Sequence, residues 1–142
     1  MAMNKITIAG IVLAMYLLVK RSGSLNEKPC PEPTQDDILN AKNRQATKDN
    51  FMYGPMNEDP TEYWARIAEK WKMSVPEAKQ RRCGNCVAYD QSPRMRKCIG
   101  TTDAKIGYCW MHHFKCGAHR TCSTWAEGGP IKTNSKSYGW QK

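Results

Sequence analysis

The stretch RRCGNCVAYD, Arg81 to Asp90, contains two cysteines separated by two residues, and it decides how the rest of the chain is interpreted. A pair with this spacing, here Cys83 and Cys86, can belong to a metal site, a redox dithiol or a disulfide framework. Redox dithiols of this type lie next to a βαβ pattern, and no such pattern surrounds this pair. The choice between metal and disulfides therefore depends on the other five cysteines.

Six of the seven cysteines lie between Cys83 and Cys122, in a part of the chain that is poor in Leu, Ile and Val. A core this thin, in a region of about 60 to 80 residues, usually needs a metal or disulfides to be stable. The sequence therefore predicts a small, loop-rich, metal-stapled module with short α-helices and little β-structure, preceded by an apolar N-terminal helix and an extended linker.

Three arrangements of the clustered cysteines are open. Soft thiolate ligands suit either zinc or an iron–sulfur cluster. A zinc-ribbon interaction module would use Cys83, Cys86, Cys109 and His112, as two ligand pairs each with two intervening residues. Six cysteines could instead form three disulfides in an oxidising compartment, with fifteen possible pairings. Metal binding is the favoured interpretation.

Three short motifs carry a resemblance to a known family: CGNCVAYD at Cys83 to Asp90, GYC at Gly107 to Cys109, and CSTW at Cys122 to Trp125. Together they resemble the high-potential iron–sulfur proteins, which have a Cys-x2-Cys pair, a third cysteine after a variable loop, and a fourth followed by a tryptophan three positions later. The resemblance implies a [4Fe–4S] cluster held by Cys83, Cys86, Cys109 and Cys122. It also implies that Tyr89, Trp110, Phe114 and Trp125 shield the cluster from water.

The resemblance covers Ala78 to Trp125, and the chain departs from the family pattern inside that range. The family lacks the additional cysteines, Cys98 and Cys116, and the histidines beside the third ligand. We treat Cys98, Cys116 and His112 as reserve ligands, and expect the two cysteines otherwise to form a disulfide or to pack. Cys30 lies between two prolines, far from the others in sequence, and is expected to be a free thiol or an intermolecular contact.

A second resemblance concerns the longer stretch from Arg81 to Ile131. It is similar to small uncharacterised proteins of marine bacteriophages, which implies a structural component of a virion, in its tail, neck or interior. The alternative location, implied by the iron–sulfur family, is a membrane-anchored periplasmic electron-transfer protein.

The chain divides into four segments by composition. Residues 1–21 contain an uncharged apolar run, ITIAGIVLAMYLLV, which is short for a membrane span of about 20 residues and lacks a cleavage site. This segment is predicted to be a helical anchor or a helix buried in an assembly. Residues 22–60 are predicted to be a Pro-rich linker with one polar helix over DDILNAKNRQATKD, residues 61–127 the cysteine-rich module, and residues 128–142 an extended basic tail that docks on a partner.

Two short helices are predicted to lead into the cysteine pair. Trp64, Ile67, Ala68 and Trp71 follow the i, i+3, i+4, i+7 spacing of one apolar helical stripe, which we expect to cover the metal site. The pattern Ser74-x-x-Glu77 is typical of a capping box at the start of a second helix.

The net charge of +9 points to acidic partners without specifying them. Other protein subunits are the expected partners, and the basic and apolar segments allow contact with nucleic acid or a membrane. The sequence has no Gly-rich phosphate loop, nucleophile elbow or paired-carboxylate site, so we expect neither catalysis nor a small-molecule substrate.

Overall fold

The computed structural model describes residues 27–56 and 60–142, so the predicted N-terminal helix over residues 1–21 lies outside the described residues. A three-stranded antiparallel sheet has the strand order β1-β2-β3 and is formed by Tyr89–Asp90 (β1), Ile106–Cys109 (β2) and Phe114–Gly117 (β3). The helices in the described residues are Glu32–Gln35 (α1), Asp37–Phe51 (α2), Thr61–Trp71 (α3), Val75–Ala78 (α4), Pro93–Ile99 (α5) and Asn134–Trp140 (α6), with a 3-10 turn at Cys83–Asn85. The prediction of short helices with little β-structure is confirmed.

The polar helix predicted within residues 22–60 exists as α2, but the segment around it is not an extended linker. Asp36 caps α2, because its carboxylate accepts hydrogen bonds from the backbone of the next turn. The side chain of Asn40 then accepts a hydrogen bond from the Lys115 backbone N–H at 2.7 Å, and Asn43 donates to the His113 carbonyl at 2.7 Å. Since α2 has few apolar positions, it docks on the β2–β3 hairpin through these amide side chains.

A disulfide corrects the prediction for Cys30. Cys30 is bonded to Cys98 at the end of α5, across a sequence separation of 68 residues, so it is neither a free thiol nor an intermolecular contact. The same bond removes Cys98 from the set of reserve metal ligands, because a disulfide sulfur has no thiolate to offer, and it rules out a Cys98–Cys116 pair.

The predicted extended tail, residues 128–142, is also corrected, because it contains α6. Thr133 caps α6 by accepting a hydrogen bond from the Lys136 N–H. The buried Ser137 hydroxyl donates to the carboxylate of Asp90, which is itself fully buried and accepts a hydrogen bond from the indole N–H of Trp110 at 2.9 Å. A polar helix is retained here because it supplies a donor to a buried carboxylate.

The stripe on α3 is confirmed as a packing face, but it does not cover the cysteines. Trp64, Ile67 and Ala68 are buried against Ala78 of α4 in a hydrophobic cluster separate from the one that contains the cysteines. The capping box at Ser74 and Glu77 is confirmed and opens α4.

Two glycines allow a matched test of the sheet packing. A Cβ at Gly107 would lie 2.6 Å from Cε2 of the Tyr89 ring and 2.9 Å from the Asp90 carbonyl oxygen, whereas a Cβ at Gly139 in α6 would meet nothing within 4 Å. We expect Gly107→Ala to lower the free energy of unfolding by about 1–3 kcal/mol through overpacking. The control, Gly139→Ala, should leave it unchanged or raise it slightly, because alanine favours helix. Urea denaturation measures both, and equal stability of the two variants would contradict this packing.

Candidate metal centre

Five cysteines remain as free thiols: Cys83, Cys86, Cys109, Cys116 and Cys122. Four of them are buried and Cys109 is half-buried, and all five belong to or pack against one hydrophobic cluster. The structure thus brings together the four predicted ligands, together with Cys116 from the reserve set. The sequence signal for Cys116 was only its position within the cysteine-rich stretch.

The 3-10 turn and the hairpin place these thiols. The Cys86 N–H donates to the Cys83 carbonyl at 2.9 Å, which closes the turn between the first two cysteines. Cys109 on β2 is opposite Phe114, and Cys116 on β3 is opposite Gly107, so Cys109 and Cys116 lie on the same face of the hairpin. The turn is joined to the chain after β3, because the Cys83 N–H donates to the Arg120 carbonyl at 2.6 Å.

Backbone N–H groups point at three of the sulfurs. The Cys86 sulfur accepts hydrogen bonds from the backbone at Ala88 and Ala126. The Cys109 sulfur accepts from Met111 and His112, and the Cys122 sulfur from Thr124, whose hydroxyl oxygen is also 3.2 Å from it. In each case one donor lies two residues after the cysteine. Such N–H groups stabilise the thiolate form, which is the form that binds metal.

Burial has the opposite effect on most of these thiols. It raises the pKa of Cys86, and raises the pKa of Cys122 to about 12. Hydrogen bonds with the Cys109 and Cys83 thiols raise the pKa of the fully buried Cys116, while the hydrogen bond with Cys116 lowers the pKa of Cys109. A thiolate in this core therefore requires a nearby positive charge to offset the cost of burial.

The reserve ligand His112 has a partner of its own. Its Nε2 atom is 2.7 Å from the Thr124 hydroxyl, and its ring stacks on Phe51 with centroids 4.5 Å apart. Burial, followed by the charge of His113, lowers the pKa of His112, which keeps the ring neutral at pH 7. In this structure His112 supports the loop that carries Thr124 and Cys122.

The predicted shielding residues all lie in or against the cysteine cluster: Tyr89, Trp110 and Phe114 are buried in it, and Trp125 is half-buried against it. The Trp125 indole N–H donates to the Arg82 carbonyl at 2.9 Å, which holds the ring beside the 3-10 turn.

Two further aromatic residues belong to this core and were missed from the sequence. Tyr53, which follows α2, packs edge-on against Phe114 and accepts a hydrogen bond from the Gly117 N–H at 3.0 Å. Tyr108 on β2 packs edge-on against Trp110. Tyr53 lies thirty residues before the first clustered cysteine, so no local pattern could assign it to the core.

Within residues 27–56 and 60–142, no three His, Cys, Asp or Glu side chains are grouped as a site that could hold a metal ion. Binding would thus require the thiols to move toward one another. No helix in the described part of the chain is long and apolar enough to cross a membrane. No protein-family model, curated protein or solved structure matches this chain.

Proposed function

We propose that this chain is a non-enzymatic structural protein whose cysteine-rich core holds a [4Fe–4S] cluster. The observation that carries the proposal is a group of five reduced thiols in one core, three of them with a backbone N–H directed at the sulfur. Hydrogen bonds to cysteine sulfurs are a known determinant of iron–sulfur sites. A disulfide framework is a poorer explanation, because these thiols are unpaired although the same chain forms a disulfide elsewhere.

Four of the five thiols are assigned as ligands. Cys86, Cys109 and Cys122 are chosen because each sulfur accepts a backbone hydrogen bond. Cys83 completes the set, because the turn of two residues allows it to share a metal with Cys86. Cys116 is placed outside the set: its partners are the Cys109 and Cys83 thiols, and no backbone donor faces its sulfur.

The role assigned to the cluster is to stabilise the fold. A bound iron–sulfur cluster supplies the positive charge of its iron atoms and covalent links between distant cysteines. Around it, this chain excludes water with Tyr89, Trp110 and Phe114 and orients the sulfurs with backbone N–H groups. Because unfolded chains rarely retain such a site, the free energy of metal binding contributes directly to folding.

We further propose that the protein is one subunit of a larger assembly, a bacteriophage virion. Apolar side chains on its surface support contact with other proteins: Ile38 is 84% exposed, and Phe51, Met56 and Trp140 are also exposed. The apolar sequence before residue 22 adds a further apolar segment. Mass spectrometry of purified particles should find this chain at a fixed ratio to the coat protein, and its absence from particles would contradict this role.

The metal assignment is tested by visible absorption together with iron, zinc and acid-labile sulfide analysis on protein purified without oxygen. We expect a broad brown absorption and iron and sulfide in equal amounts, at four of each per chain. One zinc per colourless chain would replace the cluster with a zinc site, which a set of four cysteines also suits. A chain with neither metal would contradict the proposal. Reversible redox activity of a bound cluster, measured by voltammetry, would favour the electron-transfer alternative over a purely structural role.

A further inference from the structure

The basic runs that stand out in the sequence are largely used within the protein. The Arg81 guanidinium lies over the rings of both Trp71 and Trp125, at 5.7 and 5.0 Å from their centroids. Arg82 lies 4.4 Å from the centroid of Trp64 and donates to the His119 carbonyl at 2.6 Å. Arg94 is buried and donates to Ser137. These arginines stabilise packing, so the positive charge available to a ligand must be sought elsewhere.

A groove of about 830 Å³ between α2 and the β2–β3 hairpin gathers a different set of basic residues. They come from α2, the loop before β2, strand β3 and the loop after it: Arg44, Lys105, Lys115, His119 and Arg120. Two carboxylates, Asp37 and Asp103, also line the groove. These cations are spread along the sequence, so no basic run announces the site.

Several of these cations have no internal role. Lys115 pairs with Asp37 at 3.4 Å, and Arg120 donates to the Pro55 carbonyl. The exposed side chains of Arg44 and Lys105 have no hydrogen-bond or ion-pair partner among the described residues. His119 senses the positive surroundings: partial burial lowers its pKa first, and the charges of Arg120, Arg82 and Lys105 lower it further.

The groove also offers apolar surface between its charged sides, from Met56, Ile99, Ile106 and the ring of Tyr53. A nucleic-acid strand matches both features, since its phosphates pair with Arg and Lys and its bases present flat apolar faces. An acidic polypeptide would match the charges alone. We propose that this groove binds the phosphodiester backbone of single-stranded nucleic acid, independently of any metal in the cysteine core.

The test uses the full chain and a fluorescein-labelled oligothymidine of twenty nucleotides, followed by fluorescence anisotropy across a salt series. Arg44→Gln with Lys105→Gln removes the two unpartnered cations, and Lys70→Gln with Lys136→Gln removes the same charge from helices α3 and α6, outside the groove. We expect the groove variant to bind about tenfold more weakly and to lose about 0.7 per lost contact in the slope of log K against log salt. The control variant should bind as the unmodified chain does.

Each other outcome overturns the proposal. Equal weakening of both variants would show binding to general surface charge, and unchanged binding of the groove variant would place the strand elsewhere. Absence of binding by the unmodified chain would remove the ligand class. Competition by polyglutamate as strong as that by unlabelled oligothymidine, per unit charge, would assign the groove to an acidic polypeptide. Thermal denaturation of both variants verifies that they are folded.

Discussion

A Cys86→Ser protein should lose its bound metal and fail to fold, and the same result is expected for Cys83→Ser and Cys122→Ser. Serine keeps the size of the side chain but offers the metal no thiolate. Structural metal binding can contribute about 10–16 kcal/mol, as in zinc-finger peptides, while whole domains are stable by only about 5–15 kcal/mol. Loss of one ligand therefore removes most of the stability of a core built on few aliphatic side chains. Metal analysis and near-ultraviolet circular dichroism report the two losses separately.

The matched control for the ligand variants is Cys116→Ser. Cys116 is as deeply buried as the proposed ligands and hydrogen-bonds with two of them, yet it is assigned no metal bond. We expect this variant to retain the full metal-to-protein ratio, with a modest loss of stability from a hydroxyl in place of a buried thiol. If Cys83→Ser, Cys86→Ser and Cys122→Ser all retain full metal and fold, the ligand assignment is wrong. If Cys116→Ser loses the metal, Cys116 belongs to the ligand set.

Removing the Cys30–Cys98 disulfide should lower the free energy of unfolding by about 4 kcal/mol. The bond closes a loop across 68 residues, and the loss of chain entropy in the unfolded state increases with the length of the closed loop. The double variant Cys30→Ala, Cys98→Ala should show this loss in guanidinium denaturation, and it should not change the metal content.

Reducing agent supplies the control for the disulfide. Adding it should destabilise the unmodified protein to the level of the double variant and should leave the double variant unchanged. A double variant as stable as the unmodified protein would mean that the bond does not restrain the chain in solution. Loss of metal from the double variant would link the two parts of the cysteine framework, contrary to their separation in this structure.

The elements that the sequence predicts correctly are those set by local patterns. The stripe from Trp64 to Trp71 and the capping box at Ser74 depend on residues within two turns of one another, and both form as predicted. The helix α2 also follows from its own composition. In the candidate site, the spacing of Cys83 and Cys86 correctly indicated a tight turn, which the 3-10 geometry provides.

The elements that the sequence did not reveal depend on contacts between distant residues. Cys30 meets Cys98 only because α1 packs beside α5, and α6 forms because Ser137 reaches the buried carboxylate of Asp90. The groove cations are spread from Arg44 to Arg120 and come together only after α2 docks on the hairpin. No local periodicity carries information of this kind.

Native mass spectrometry of the intact protein, purified without oxygen, tests the proposed cluster most directly. We predict a mass equal to the chain with one disulfide plus four iron and four sulfide ions, and a return to the mass of the metal-free chain after acid treatment. A mass that shows one disulfide, five free thiols and no added atoms, from a protein that is fully folded, would contradict the cluster and with it the proposed function.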